Sequence, residues 1–193
     1  MNSQTLEEEF SDIHTLGSSA GFDLDFVKLS KGTHSVPVRF RQGVRLVAFD
    51  LELKSAYHQR GMAPEGTIAL GIPRQGTQRF CGARYGNNEI LPFNLASGFD
   101  VISEPGFQAN VLVVCPKFLV EVAAENRFES LRVLETARPG DVISDGEANR
   151  KLRMCAQQFL YGHSSHPAED AEAEIALLLL EASQERRTVE SHG

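Results

Sequence analysis

The sequence predicts an α+β chain: an antiparallel β-barrel or sandwich first, then C-terminal helices that form an antiparallel pair. Three observations carry this. Short apolar or alternating segments recur at Ile68–Ile72, Arg79–Cys81, Glu89–Leu91, Phe99–Ile102 and Asn110–Val114, each punctuated by Gly, Pro or Asn. Strands at roughly 8–12-residue spacing with turn chemistry between them mark a sandwich or barrel. Half of the sixteen glycines fall between 61 and 106, where tight connections use them. After Val114 the apolar residues change to helical spacing.

In chain order, Leu6, Phe10, Ile13 and Leu16 fall at helical spacing, so the acidic first residues read as an arm with a short helix closed by Gly17-Ser18-Ser19. Asp23–Leu29 reads as a strand with Leu24 and Phe26 on one face, and Lys31-Gly32 as its turn. Val36, Val38 and Phe40 alternate in the next strand. From Val44 to Tyr57 one long strand is expected, with Val47, Phe49, Leu51, Leu53 and Tyr57 on the core face and Asp50, Glu52, Lys54 and His58 opposite. Gly61, Gly66, Gly71 and Gly76 read as turn and bulge glycines.

Pro116 starts a helix whose stripe is Phe118, Leu119, Val122 and Ala123. Phe128–Leu134 is a weakly patterned link, and Arg138–Asp141 a turn. A second helix runs from Asp145 or Gly146 to Tyr161. The last starts at Pro167 or Ala168, with acids in its first turns, and finishes at Arg186 and Arg187, matching the helix dipole. Its run Ile175–Leu180 is apolar nearly all round, so a helix on one side leaves a side for a second subunit. The expected units are an arm over 1–22, a barrel over 23–115, a helical dimerisation segment over 116–187 and a tail over 188–193.

The 193 residues, 41% hydrophobic and 23% charged, suit one soluble domain with an appendage. No apolar run reaches the roughly 20 residues that span a bilayer, and the acidic N-terminus does not resemble a secretory signal. The expected location is cytoplasmic. A net charge of −7 disfavours direct DNA binding, which wants clustered bases. Residues 26–62 nonetheless carry seven bases against two acids. Such a stretch can steer an anionic partner, but bases on the solvent side of strands give the same count. Cys81, Cys115 and Cys155 lie far apart and read as reduced, buried thiols.

Catalytic chemistry finds little support. Gly82–Gly86 lacks the strand-to-helix junction and Lys-Ser/Thr of a phosphate cradle. A metal-holding barrel needs closely spaced histidines on a strand, whereas His34 and His58 each stand alone. His163 and His166 sit three apart in a Ser-rich loop before Pro167, as a solvated connection would place them. No catalytic residue, metal ligand or cofactor is expected.

The segments "VRLVAFDLELKSAYHQRGMAPEG", "IALGIP", "RFCGARYG" and "ILPFNLASGFDVISEPGFQANVLVV", followed by helices, resemble the N-terminal half of AraC/XylS-type bacterial transcription regulators over residues 22–182. In that family a cupin-like barrel senses an effector and the helices after it form the dimer contact. The resemblance implies a homodimer through Leu152, Cys155, Phe159, Ile175, Leu178, Leu179 and Ala182. Phe49, Leu51, Tyr57 and Phe80 are the expected walls of an effector site, and Arg39 and His58, with Arg45 and Arg60, would meet an acidic head group. Family members continue beyond Arg187 into two helix-turn-helix motifs that read DNA, and none follows here. The chain is then either the sensor part of a longer regulator or a protein without a DNA reader. Two other classes stay open: a metal-dependent cupin-type enzyme, and a stand-alone dimerisation module that pairs with a full-length regulator.

Overall fold

The computed structural model describes residues 4–10, 21–31, 36–87, 89–128, 138, 141–143, 146–162, 168–184 and 186–188. Eleven strands come first: β1 Gln4–Phe10, β2 Asp23–Lys28, β3 Val36–Gln42, β4 Leu46–Leu53, β5 Tyr57–Met62, β6 Ile68–Gln75, β7 Gln78–Phe80, β8 Ala83–Tyr85, β9 Leu91–Pro92, β10 Phe99–Ser103 and β11 Phe107–Val114. Helix α1, Pro116–Glu125, follows, then β12 Asp141–Ile143, α2 Glu147–Tyr161, α3 Ala168–Gln184 and β13 Arg186–Thr188. A six-stranded sheet in the order β1-β3-β4-β11-β6-β9 packs on a five-stranded sheet in the order β2-β5-β10-β7-β8, and β12 pairs with β13. All the pairings are antiparallel.

The alternation of side chains along a strand decides the layering. On the six-stranded sheet, Val38, Phe49, Leu53, Ala109 and Val111 face the other sheet and belong to the barrel core. Their neighbours Leu46, Ala48, Ile68, Leu70, Ile72, Leu112 and Val114 face the opposite way, into a second core built with the helices. Helix α2 lies against β3, β4 and β11, and α3 packs on both α1 and α2. The molecule is therefore three layers with two cores, and the six-stranded sheet is covered on both faces. Double cover explains why β6 reads as an apolar run, Ile68–Pro73 being buried without a break.

The helix signals hold where Pro116 occupies the first turn of α1 and where Gly162 caps α2 in the left-handed region at φ 67°. Phe118, Leu119, Val122 and Ala123 are all buried, as their spacing predicts.

Four expectations change. Residues 4–10 form a strand, not a helix: β1 runs along β3, with Leu6 opposite Phe40 and Phe10 opposite Val36. Helical spacing of apolar residues is outweighed by an open strand edge that can satisfy a whole backbone. The long strand Val44–Tyr57 is two strands, broken at Lys54–Ala56 where the chain passes from one sheet to the other. The last helix ends at Gln184, and Arg186 and Arg187 lie in β13, opposite Ile143 and Val142. Apart from Leu177, which is partly buried, the run Ile175–Leu180 is buried within the single chain, with α3 packed on α1 and α2. Phe128 packs against the helix-side core, while the rest of the link, from 129 to 134, lies outside the described residues.

Candidate ligand-binding site

Between the two sheets lies a cavity of about 70 Å³. Small inward residues create it. Gly71 on β6 and Ala109 on β11 offer little bulk opposite Leu24 and Phe26 of β2 and Val101 of β10, so the sheets do not close completely. Phe49 and Leu51 from β4, Phe99 from β10 and Phe107 from β11 add apolar wall. Among the described residues Gln59 and Gln78 are the only lining side chains with polar atoms, and Gln78 is 5% exposed.

One end of the cavity is closed by aromatic rings. Phe93, in the loop after β9, stacks at 4.8 Å between centroids on Phe99 and at 5.8 Å on Phe80, and Phe22 meets it edge-on at 6.4 Å. Its ring lies directly over Gly71, where an added Cβ would sit 2.6 Å from Cζ. On its other side Phe93 borders an open groove of about 460 Å³, shared with Met62, Ala63, Pro64, Leu95 and Arg138. The loop itself is held by backbone and amide bonds. Phe93 N donates to Ala69 O at 2.8 Å, Ala69 N to Asn94 Oδ1 at 2.5 Å, and Asn94 Nδ2 to Thr67 O at 2.5 Å.

Of the six ligand residues expected from sequence, Phe49 and Leu51 line the cavity. Tyr57 packs edge-on against Phe26, and Phe80 lies fully buried behind Phe93, both outside the cavity wall. His58 and Arg60 are on the outer face of β5, where they bind Asp100 of β10. His58 Nε2 lies 3.1 Å from both carboxylate oxygens, and Arg60 Nε donates to Oδ2 at 2.7 Å. Desolvation pushes the Asp100 carboxyl up, but the hydrogen bonds and charges of His58 and Arg60 outweigh it and leave it below its ordinary value. Arg39 faces away from the cavity, its guanidinium 4.0 Å over the Tyr161 ring. Arg41 and Arg45 likewise cover Phe159 and Phe118, at 4.6 and 4.8 Å. These three bases of the 26–62 stretch make cation–π contacts with rings of the helices, while Arg45 stays exposed and pairs with Glu121 at 2.9 Å.

The reason for these misplacements is specific. Alternation separates two faces, but with both faces buried a polar residue on the second marks a sheet–helix contact as readily as a rim. The missed walls, Val101, Phe107, Ala109 and Val111, do alternate in β10 and β11, and that was the available signal. Phe93 sits in a loop and had none.

Beyond the sheet a polar cluster links it to α2. Arg74 Nη2 donates to Asp50 Oδ1, and Tyr161 hydroxyl to Asp50 Oδ2, each at 2.5 Å. The bond to Asp50, with burial, raises the Tyr161 phenol above its usual value. Asn110, directly across from Asp50 in the register, is 1% exposed, and neither side-chain polar atom has a partner among the described residues. Glu172 of α3, also buried, accepts from Val44 N at 2.7 Å, and desolvation raises its carboxyl despite those backbone bonds.

Leu152, Phe159, Ile175, Leu178, Leu179 and Ala182, expected at a dimer contact, are at most 7% exposed in the single chain. Cys155 is partly exposed and lies beside Glu174, with burial lifting its thiol to about 11. All three cysteines are free, but Cys115 is exposed, contrary to the expectation of burial. Among the described residues no three of His, Cys, Asp and Glu gather as a metal site. His34, His163 and His166 lie outside them, as do Pro139 and Gly140 of the expected turn.

No family model matches the sequence, and no curated protein matches it. Solved structures do. The crystal structure of the AraC-like transcriptional activator CuxR is similar over 98% of this chain and 73% of its own, with 11% identity and a TM-score of 0.65. The chain shares its fold with that structure. A two-sheet barrel carries the helices on one sheet, as the resemblance implies. A Cupin 2 conserved barrel domain protein from Salinispora arenicola CNS-205 matches 53% of this chain and 85% of its own at 10% identity and a TM-score of 0.31. A predicted oxalate decarboxylase from Thermotoga maritima matches 50% of this chain and 96% of its own at 8% and 0.29. Scores this low concern parts of the barrel and carry no argument. No described helix is long and apolar enough to cross a membrane.

Proposed function

We propose that this chain is the effector-sensing and dimerisation part of an AraC-type cytoplasmic transcription regulator, with DNA read by a helix-turn-helix domain outside this sequence. One observation carries the reading: β4 and β11 line the barrel cavity on one face and hold the helical layer on the other. A ligand that repositions those strands changes the seat of α2 and α3, and the free energy of that difference is what a regulator transmits. The fold shared with an AraC-like activator supports the same reading over enzyme chemistry.

The dimer contact belongs on the outward face of the α2–α3 pair. Cys155 lies beside Glu174 and Lys151 is near Glu181, an antiparallel register that brings Met154 level with Leu177. Met154 is 60% exposed and Leu177 partly so. These outward residues, not Leu152 or Phe159, would touch a second copy.

Native mass spectrometry before and after denaturation tests both parts. A metal-free dimer that releases a small organic mass supports sensing, and a Met154→Arg variant should then appear as monomer. An empty dimer favours a pairing module without a ligand. A stoichiometric transition metal overturns the reading in favour of an enzyme.

A further inference from the structure

We propose that Phe93 is the door of the barrel cavity and that the ligand admitted there is a neutral, largely apolar small molecule with one hydrogen-bonding group. The inference rests on the sensing reading and adds the ligand's class and its route. The lining supplies the class. Among the described residues no charged side chain lines the cavity, and Arg39, Arg45, His58 and Arg60 all face elsewhere. A carboxylate or ammonium brought into this wall would lose its hydration with no counter-charge to replace it. Gln59 and Gln78 can each donate and accept, which suits a carbonyl, hydroxyl or amide.

Size supplies the door. A cavity near 70 Å³ is smaller than the roughly 150 Å³ that holds benzene, so any organic ligand requires a side chain to move. Among the described residues Phe93 alone borders both this cavity and the 460 Å³ groove outside. The loop's anchors use the Phe93 backbone and the Asn94 amide, not the ring, so the ring can turn while the loop stays. Gly71 keeps the space beneath the ring in which it rests. When the ring swings toward Met62 and Pro64, cavity and groove become one site.

The test uses two dyes of the same anilinonaphthalene skeleton: neutral N-phenyl-1-naphthylamine and its anionic analogue 1-anilinonaphthalene-8-sulfonate. Stopped-flow fluorescence should show the neutral dye entering the wild-type protein slowly, with Phe93→Ala raising the association rate about tenfold or more and Phe93→Leu lying between. Ala109→Phe, which fills the cavity, should abolish the signal. If that variant does not fold, the milder Val101→Leu should weaken binding instead. The sulfonate should not compete. A rate unchanged in both Phe93 variants, with dye still displaced by cavity filling, overturns the door and leaves sensing intact. Equal competition by the sulfonate overturns the neutral class. Binding of neither dye, in wild type or Phe93→Ala, overturns the sensing reading itself.

Discussion

The two faces of the six-stranded sheet are packed by different rules. Toward the helices, aliphatic side chains from Leu46, Ile68, Leu70, Ile72 and Leu112 meet Leu152, Phe159, Ile175 and Leu179, nearly all with no exposure. Toward the other sheet, aromatic rings meet Ala69, Gly71 and Ala109 and leave a void. Close-packed aliphatic cores resist change, whereas a face with unfilled volume has room to rearrange. Stability and adaptability are thus divided between two sides of one sheet, which fits a sensor whose helical layer must stay folded whatever the barrel holds.

Leu112 and Leu51 sharpen this contrast most, since they lie on adjacent strands and face opposite ways. Leu112→Ala should cost about 4 kcal/mol in urea unfolding and Leu51→Ala about 2 kcal/mol, because the second only enlarges a cavity already present. Equal costs would break the comparison. Adding bulk should keep the order: Ala48→Val, on the fully buried helix side, is expected to cost about 1–3 kcal/mol, while Ala109→Val should be neutral or stabilising by thermal melt.

Polar groups within the helix-side core make finer tests. Asn110→Leu should raise stability by about 1 kcal/mol, since it removes a buried amide without a partner among the described residues. Glu172→Ala should cost about 1–3 kcal/mol by stranding the Val44 N–H. Because the Glu172 carboxyl is raised, the folded state holds the proton more firmly than the unfolded chain. Its contribution is therefore fully present below the ordinary carboxyl value of 4.5 and declines as pH rises through the folded value. Glu172→Gln should flatten that slope.

The smallest effect is expected on the other sheet. Asp100 is depressed, so its pairing with His58 and Arg60 stabilises above the ordinary carboxyl value of 3.8 and is lost as pH falls through the folded value. Partial exposure screens it, and Asp100→Asn should cost under about 1 kcal/mol near neutrality.

Much of this is legible in the sequence alone. Period two marks β3 and β4, short apolar or alternating segments between Gly, Pro and Asn mark β6, β10 and β11, and Pro116, Gly162 and the Leu152–Leu160 stripe mark the helices. What escaped were features that depend on a neighbour in space. Gln4–Phe10 became a strand because β3 offered an edge, and Arg186 and Arg187 left the helix to pair with Val142 and Ile143. Arg39 looked like a ligand's counter-charge because the sequence cannot say that Tyr161 lies beneath it. Gly71 looked like a turn, yet it sits within β6 as the floor under Phe93. Tyr57 and Phe80 were correctly placed in the barrel core but one layer away from its void.

Asp50 stands between Phe49 and Leu51 in the chain, so the residue that grips Tyr161 and Arg74 is one peptide unit from two that wall the cavity. A strand is a stiff ribbon at this scale. Rolling it to widen one side must tilt the other, like a rocker with its fulcrum in the backbone. No relay of contacts has to be crossed, and any hinge for such a movement lies at the ends of β4, at the Gly43–Arg45 turn pinned by Glu172 and the Lys54–Ala56 corner, rather than in the cavity itself.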